Sequence, residues 1–210
     1  MRPRRKYLSV NSLSLIGIPK KFHETVLSDF ETGGNKDLCN VKGFIKGYLT
    51  SLSVKPLSSM GGICFFGSNG VGKTMLSCIV AKEAYACRYS VRRVTFIDYM
   101  GVYTRMWGAK SLDEKEAAED ELYTGYKAVE VLVLEEVGKE VDSKASAPIL
   151  EDLLRYREDK GLVTILCFNL SLKDIQTRYG ASISSLLQGN TTPIKLVGVD
   201  KRKAVFDKRV

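Results

Sequence analysis

Eight consecutive residues, Gly67-Ser68-Asn69-Gly70-Val71-Gly72-Lys73-Thr74, concentrate the chemistry of this chain. They match the pattern G-x-x-x-x-G-K-[ST], with a short apolar run before them and a helical pattern after. Glycines at 67, 70 and 72 allow a loop to close around a phosphate chain where side chains would obstruct it. Backbone N–H groups and the start of the next helix then face the anion. Lys73 is expected to reach the β- and γ-phosphates, and the Thr74 hydroxyl to ligate Mg²⁺. The octapeptide reads as a binding site for ATP with Mg²⁺.

A second cluster follows the apolar run Val131-Leu132-Val133-Leu134, as Glu135-Glu136. Glu135 is expected to hold Mg²⁺, usually through water, and Glu136 to polarise an attacking water. Glutamate at the first of these positions adds a methylene where aspartate is commoner. The plain alternative is a strand that ends in solvated carboxylates. Asn169 closes another apolar run, and its carboxamide is placed to touch a γ-phosphate or orient water. Asparagine at a strand end is otherwise an ordinary turn residue.

These residues need elements to position them. Five short apolar runs read as buried strands: 62–66, 93–97, 131–134, 163–168 and 194–197. Helical patterns cover 74–89, 99–107, 112–127, 147–159 and 172–179, with another at 41–52 before the first strand. Strands of Val, Ile, Leu and Phe alternating with helices predict an α/β fold: a five-stranded parallel sheet with helices on both faces. Such sheets bind ligands beyond the carboxyl ends of their strands, where the glycine loop, the paired acids and Asn169 all fall.

Composition excludes several other chemistries. The 210 residues suffice for one well-buried domain. A single histidine, His23, rules out a histidine metal cluster and reads as a surface or packing residue. Five cysteines without a C-x-x-C pair, three of them in apolar runs, read as reduced core thiols. No apolar run approaches the ~20 residues of a membrane span, so no membrane partner is expected, and a cytoplasmic location is. The net charge of +8 is uneven: residues 1–6 hold four basic groups, residues 201–210 hold five, and 7–200 balance at 23 of each sign. Both ends are therefore the first suspects for contact with a polyanion. Residues 113–121 carry six acids and one lysine, a solvated helix face or a surface that repels DNA.

The series GSNGVGKT, VLVLEEVG, VTILCFN-Leu170, Arg178-Tyr179-Gly180 and Gly198-Val199-Asp200-Lys201-Arg202 resembles the DnaC/IstB-like branch of the AAA+ ATPases. That branch comprises bacterial and phage helicase loaders and transposition helpers. The resemblance runs from about residue 17 to 203, and it implies an AAA+ P-loop NTPase core over 17–210 with a basic arm at 1–16. It places Ile18 and Phe22 beside the adenine, Asn169 as a first sensor, and Arg202 as a second sensor near the γ-phosphate. It also implies single-stranded DNA contacts at Trp107, Lys139, Ser143 and Lys144, a replicative helicase as partner, and head-to-tail self-association. Trp107 as a core residue, and Lys139 to Lys144 as an ordinary charged loop, are the alternatives.

Two departures from the family pattern bear on activity. Its arginine positions hold Ser182 and Leu186, so hydrolysis between like subunits is expected to be weak unless Arg178 or a partner's arginine substitutes. Only about 16 residues precede the resemblance, where full-size loaders carry a helicase-binding domain. The leading expectation is an ATP-dependent helicase loader or replication accessory. An IstB-like transposition helper, a nucleotide-bound scaffold that barely hydrolyses ATP, and a small-molecule P-loop kinase are the alternatives.

Overall fold

A computed structural model describes residues 4–5, 8–140 and 145–198. Its elements are α1 (Val10–Leu15), α2 (Lys36–Val54), β1 (Gly62–Phe66), α3 (Lys73–Ala86), β2 (Val91–Thr95), α4 (Phe96–Trp107), α5 (Leu112–Leu122), β3 (Val131–Val137), α6 (Ser146–Asp159), β4 (Val163–Phe168), α7 (Leu172–Asn190) and β5 (Thr191–Lys195). The five strands form one sheet in the order β2-β3-β4-β1-β5, and every pairing is parallel. This is the expected α/β architecture.

Strand residues alternate between two cores, as the two-residue period of a pleated strand requires. Ile63, Phe65, Val131, Val133, Val163 and Ile165 pack with α2 and α3 on one face. Cys64, Phe66, Leu132, Leu134, Leu166 and Phe168 pack with α4, α6 and α7 on the other. Four of the five cysteines are buried, Cys39 is exposed, and all are free thiols. No helix among the described residues is long and apolar enough to cross a membrane.

Element boundaries differ from the sequence reading at several places, each decided by one or a few residues. β2 begins and ends two residues earlier, because the Thr95 hydroxyl caps α4 by accepting from Asp98 N at 3.1 Å. Ile97 thereby joins the helix and is exposed. β5 begins three residues earlier, and Pro193 sits within it because an edge strand tolerates a missing N–H. The helix at 172–179 continues to Asn190 across Gly180, whose φ of 89° breaks the helical path. The pattern at 112–127 divides at Leu122, with a wide turn of π-helical hydrogen bonding over Tyr123–Lys127.

Arg157 holds that turn to the sheet. Its fully buried guanidinium donates to the carbonyls of Lys127 and Val129 at 2.8 Å, to Val163 O at 2.6 Å, and to Thr164 Oγ1 at 2.8 Å. At the amino-terminal side, Leu13 and Ile16 join the core beside α2 and α3. Arg4 pairs with Glu83 at 2.6 Å, and Arg5 lies 3.9 Å over the Tyr85 ring. Both arginines thus sit at the carboxyl end of α3, where a helix favours positive charge.

Candidate nucleotide site

The turn between β1 and α3 has the form its glycines allow. Gly67, Gly70 and Gly72 have φ values of 144°, 76° and 106°. At Gly72 a Cβ would lie 2.8 Å from the Phe30 ring, so the loop also needs the bare backbone for packing. Lys73 Nζ donates to the carbonyls of Gly67 and Ser68, each at 2.7 Å, folding the side chain back under its own loop.

Glu135 meets this loop from β3. It is 2% exposed, and its Oε2 accepts from Thr74 Oγ1 at 2.9 Å. Ser77 Oγ, one turn further along α3, donates to Oε1. Arg93 Nε lies 3.6 Å from the same oxygen, an ion pair without a hydrogen bond, since that Nε has no hydrogen-bond partner. Two hydroxyls and a guanidinium thus compensate a carboxylate taken out of water.

Glu136 takes a different path. Its φ is +59°, and the β3–β4 register shifts between Leu134 and Val137 around it. A glutamate in the left-handed region stores strain of about 1–3 kcal/mol, which surrounding structure must hold in place. The kink turns Glu136 out of the ladder, where Lys139 Nζ pairs with its Oε1 at 2.7 Å.

A cavity of about 410 Å³ joins these groups. Asn69, Gly70, Gly72, Lys73 and Thr74 line one side, with Glu135, Glu136, Lys139 and Asn169 along the strand ends. Pro19, Lys21 and Phe22 form a further wall together with Met75 and Arg93. Cys167 also lines it, but burial raises its thiol pKa far above the usual range, so it is a packing group rather than a nucleophile.

Not every anticipated residue reaches the cavity. Val71 is turned into the core, and Gly67 and Ser68 contribute carbonyls to Lys73 rather than wall. Ile18 is buried, and its carbonyl accepts from His23 Nε2 at 2.9 Å, which makes His23 a packing residue. Trp107 stands 62% exposed at the end of α4, 5.5 Å from the Tyr103 ring, and is no part of the core. Ser143, Lys144 and Arg202 lie outside the described residues. Ser182 donates to Glu151 at 2.7 Å and accepts from Arg155 at 2.9 Å, while Leu186 packs against the core. Arg178 is engaged by Glu140 at 3.1 Å.

Three residues of the site carry no motif: Ser77, Arg93 and Lys82. Ser77 follows Thr74 by three positions and so shares its helix face, which is the signal that finds it. Arg93 is a charge in a strand otherwise expected to be buried. Lys82 stands behind the wall and donates to the carbonyl of Phe22 at 2.7 Å.

The donor set suits Mg²⁺ in company with phosphate. Thr74 and Glu135 offer hard oxygens from neighbouring elements, and Mg²⁺ takes few protein ligands when phosphates and waters complete its shell. Among the described residues, no cluster of three or more His, Cys, Asp or Glu side chains is arranged to hold a metal. The cradle therefore fits a metal that arrives with a nucleotide.

Comparison with known proteins places the fold. The DnaC helicase loader superimposes with a TM-score of 0.70 at 20% identity, covering 85% of this chain and 100% of that one. DnaI does so with a TM-score of 0.70 at 21% identity, over 89% of this chain and 95% of that one. The replication initiator DnaA bound to AMPPCP and single-stranded DNA follows at 0.67 and 17% identity, over 92% and 57%. A search of curated proteins finds no match. The profile of the family described as IstB-like ATP binding protein matches residues 48–185, from within α2 to within α7 and across the whole cavity except the Phe22 wall. The chain belongs to the family of IstB-like ATP binding proteins.

Proposed function

We propose that the chain is a Mg²⁺-dependent ATPase acting as a helicase loader or related replication accessory. It binds single-stranded DNA and a replicative helicase in the cytoplasm of a bacterial or phage-infected cell, and it hydrolyses ATP slowly or under partner control. The observation that carries the ATPase reading is the Thr74–Glu135 hydrogen bond, which joins the phosphate loop to the strand ends bearing Glu136 and Asn169.

In this reading the loop N–H groups and Lys73 bind the phosphates, and Lys73 exchanges its two loop carbonyls for phosphate oxygens. Thr74 and Glu135 hold Mg²⁺, with Ser77 and Arg93 fixing the Glu135 carboxylate. The metal, when bound, neutralises charge that develops on the phosphate oxygens. Glu136 takes the proton from the attacking water, Asn169 orients that water, and Arg202 supplies charge near the γ-phosphate. Phe22 and Pro19 wall the base.

The likeness to DnaC and DnaI supports the loader role. The exposed Trp107 and the Lys139 side chain lining the cavity support single-stranded DNA contact, to which the reading adds Ser143 and Lys144 from the family resemblance alone. Binding of a labelled oligonucleotide should require ATP and weaken as salt rises. Insensitivity to both ends the DNA part of the proposal. Capture of a replicative helicase with ATP present supports the loader. The family match favours a second reading, a transposition helper, and capture of a transposase instead would establish it. A third reading, a scaffold that barely turns over, is favoured by Ser182 and Leu186 at the arginine positions. Turnover well above background from the isolated chain excludes it.

A further inference from the structure

Residues 16–30 run past the base side of the cavity with no helix longer than three residues, so regular structure satisfies few of their carbonyls. Basic side chains from the framework take that role. Arg93 on β2 donates to Gly17 O at 3.1 Å, and Lys42 on α2 donates to Ser28 O and Phe30 O at 3.0 and 2.8 Å. Lys82 on α3 does most. Its ammonium has three N–H donors, and they reach Phe22 O at 2.7 Å, His23 O at 2.9 Å and Thr25 O.

Lys82 is 8% exposed and forms no ion pair with a carboxylate among the described residues. Burial lowers its pKa, opposed in part by Cys78 and by the more distant carboxylates of Glu24 and Asp29, and its direct hydrogen bonds all go to carbonyls. It follows Lys73 by nine residues on one helix, about 13 Å at 1.5 Å per residue, too far to meet the phosphates. Its reach into the site runs through Phe22 alone. Phe22 is half-buried and lines the cavity together with Pro19, Lys21 and Met75.

We propose that Lys82 is a positioning residue for the nucleotide base. By clamping the carbonyls of Phe22, His23 and Thr25 it holds the Phe22 ring as the surface on which the base lies, and so sets base affinity without touching the nucleotide. The proposal rests on the reading of the cavity as an ATP site.

The test compares ATP with inorganic tripolyphosphate, which offers the phosphates without a base, by titration calorimetry on the full chain with Mg²⁺. Lys82→Met should lose about tenfold or more in ATP affinity, the scale of one aromatic–base contact, while tripolyphosphate affinity stays within about twofold. Phe22→Ala should give the same selective loss. Equal losses for both ligands in Lys82→Met, or no loss for ATP, overturn the positioning role. Should Lys82→Met fail to fold, Lys82→Gln keeps two donors and must show the same selectivity in milder form, or the proposal falls. If the unaltered chain binds neither ligand, the nucleotide site itself is wrong. Binding of both with no discrimination among the variants refutes only Lys82.

Discussion

Glu135 and Glu136 are adjacent in sequence and opposed in circumstance. The first is buried among two hydroxyls and a guanidinium, and the second is half-exposed in a strained backbone conformation. The roles assigned to them predict different costs. Glu136→Gln removes a base and keeps the shape, so turnover should fall about 10²–10⁴-fold with ATP binding retained. Single-turnover kinetics beside equilibrium binding separate the two, and unchanged turnover would remove Glu136 from the mechanism. Glu136→Gly relieves the left-handed φ, a gain of about 1 kcal/mol. What it loses is a partly exposed pair with Lys139, worth little in water. Its melting temperature should therefore equal or exceed that of the parent while activity is lost, and a clear drop in melting temperature contradicts the strain argument. The phosphate loop was legible in the sequence because glycine spacing reports backbone geometry directly. Arg93 was not, since a basic residue in a strand takes its meaning from what faces it across the fold, and Ser77 is marked in the sequence only by sharing a helix face with Thr74.

At the scale of elements, the strand–helix alternation and the placement of the site at strand ends were readable from apolar runs. Boundaries were not, because single residues decide them: the Thr95 cap ends β2, and the positive-φ backbone of Gly180 divides α7. The segment 16–30 was the least legible, being ordered by distant cations rather than by its own pattern. Gly17 shows how tight that ordering is. Its φ is +90°, and a Cβ there would lie 2.2 Å from Arg93 O, against backbone that has no room to yield. Arg93 N meanwhile donates to Ile16 O at 2.8 Å. Gly17→Ala should destabilise the protein by at least about 1 kcal/mol in urea unfolding. Its nucleotide affinity should also fall, because the displaced segment carries Phe22. A variant as stable as its parent would mean that the segment is not fixed to β2 in solution.

At the scale of the whole molecule, part of the basic charge is engaged within the fold. Lys42, Lys82, Arg93 and Arg157 are engaged by carbonyls or by Glu135, and no polyanion can reach a guanidinium as buried as that of Arg157. A count of lysines and arginines therefore overstates the charge on offer to DNA. The salt dependence of oligonucleotide binding should be correspondingly shallow, reflecting a few contacts. Lys139→Ala should lower the slope of log affinity against log salt by about 0.7, the share of one phosphate on a single strand. A steep slope that this substitution leaves unchanged would relocate the DNA contact to other residues.

The exposed indole at the end of α4 has one more consequence. The sequence contains no other tryptophan, so emission excited at the red edge, where the tyrosines no longer absorb, originates at Trp107, which is not among the residues lining the nucleotide cavity. A base stacking on that ring would quench and blue-shift the signal of a water-exposed indole, whereas ATP alone would leave it nearly constant. The molecule thus carries an optical reporter that records DNA arrival separately from nucleotide arrival, with no label attached.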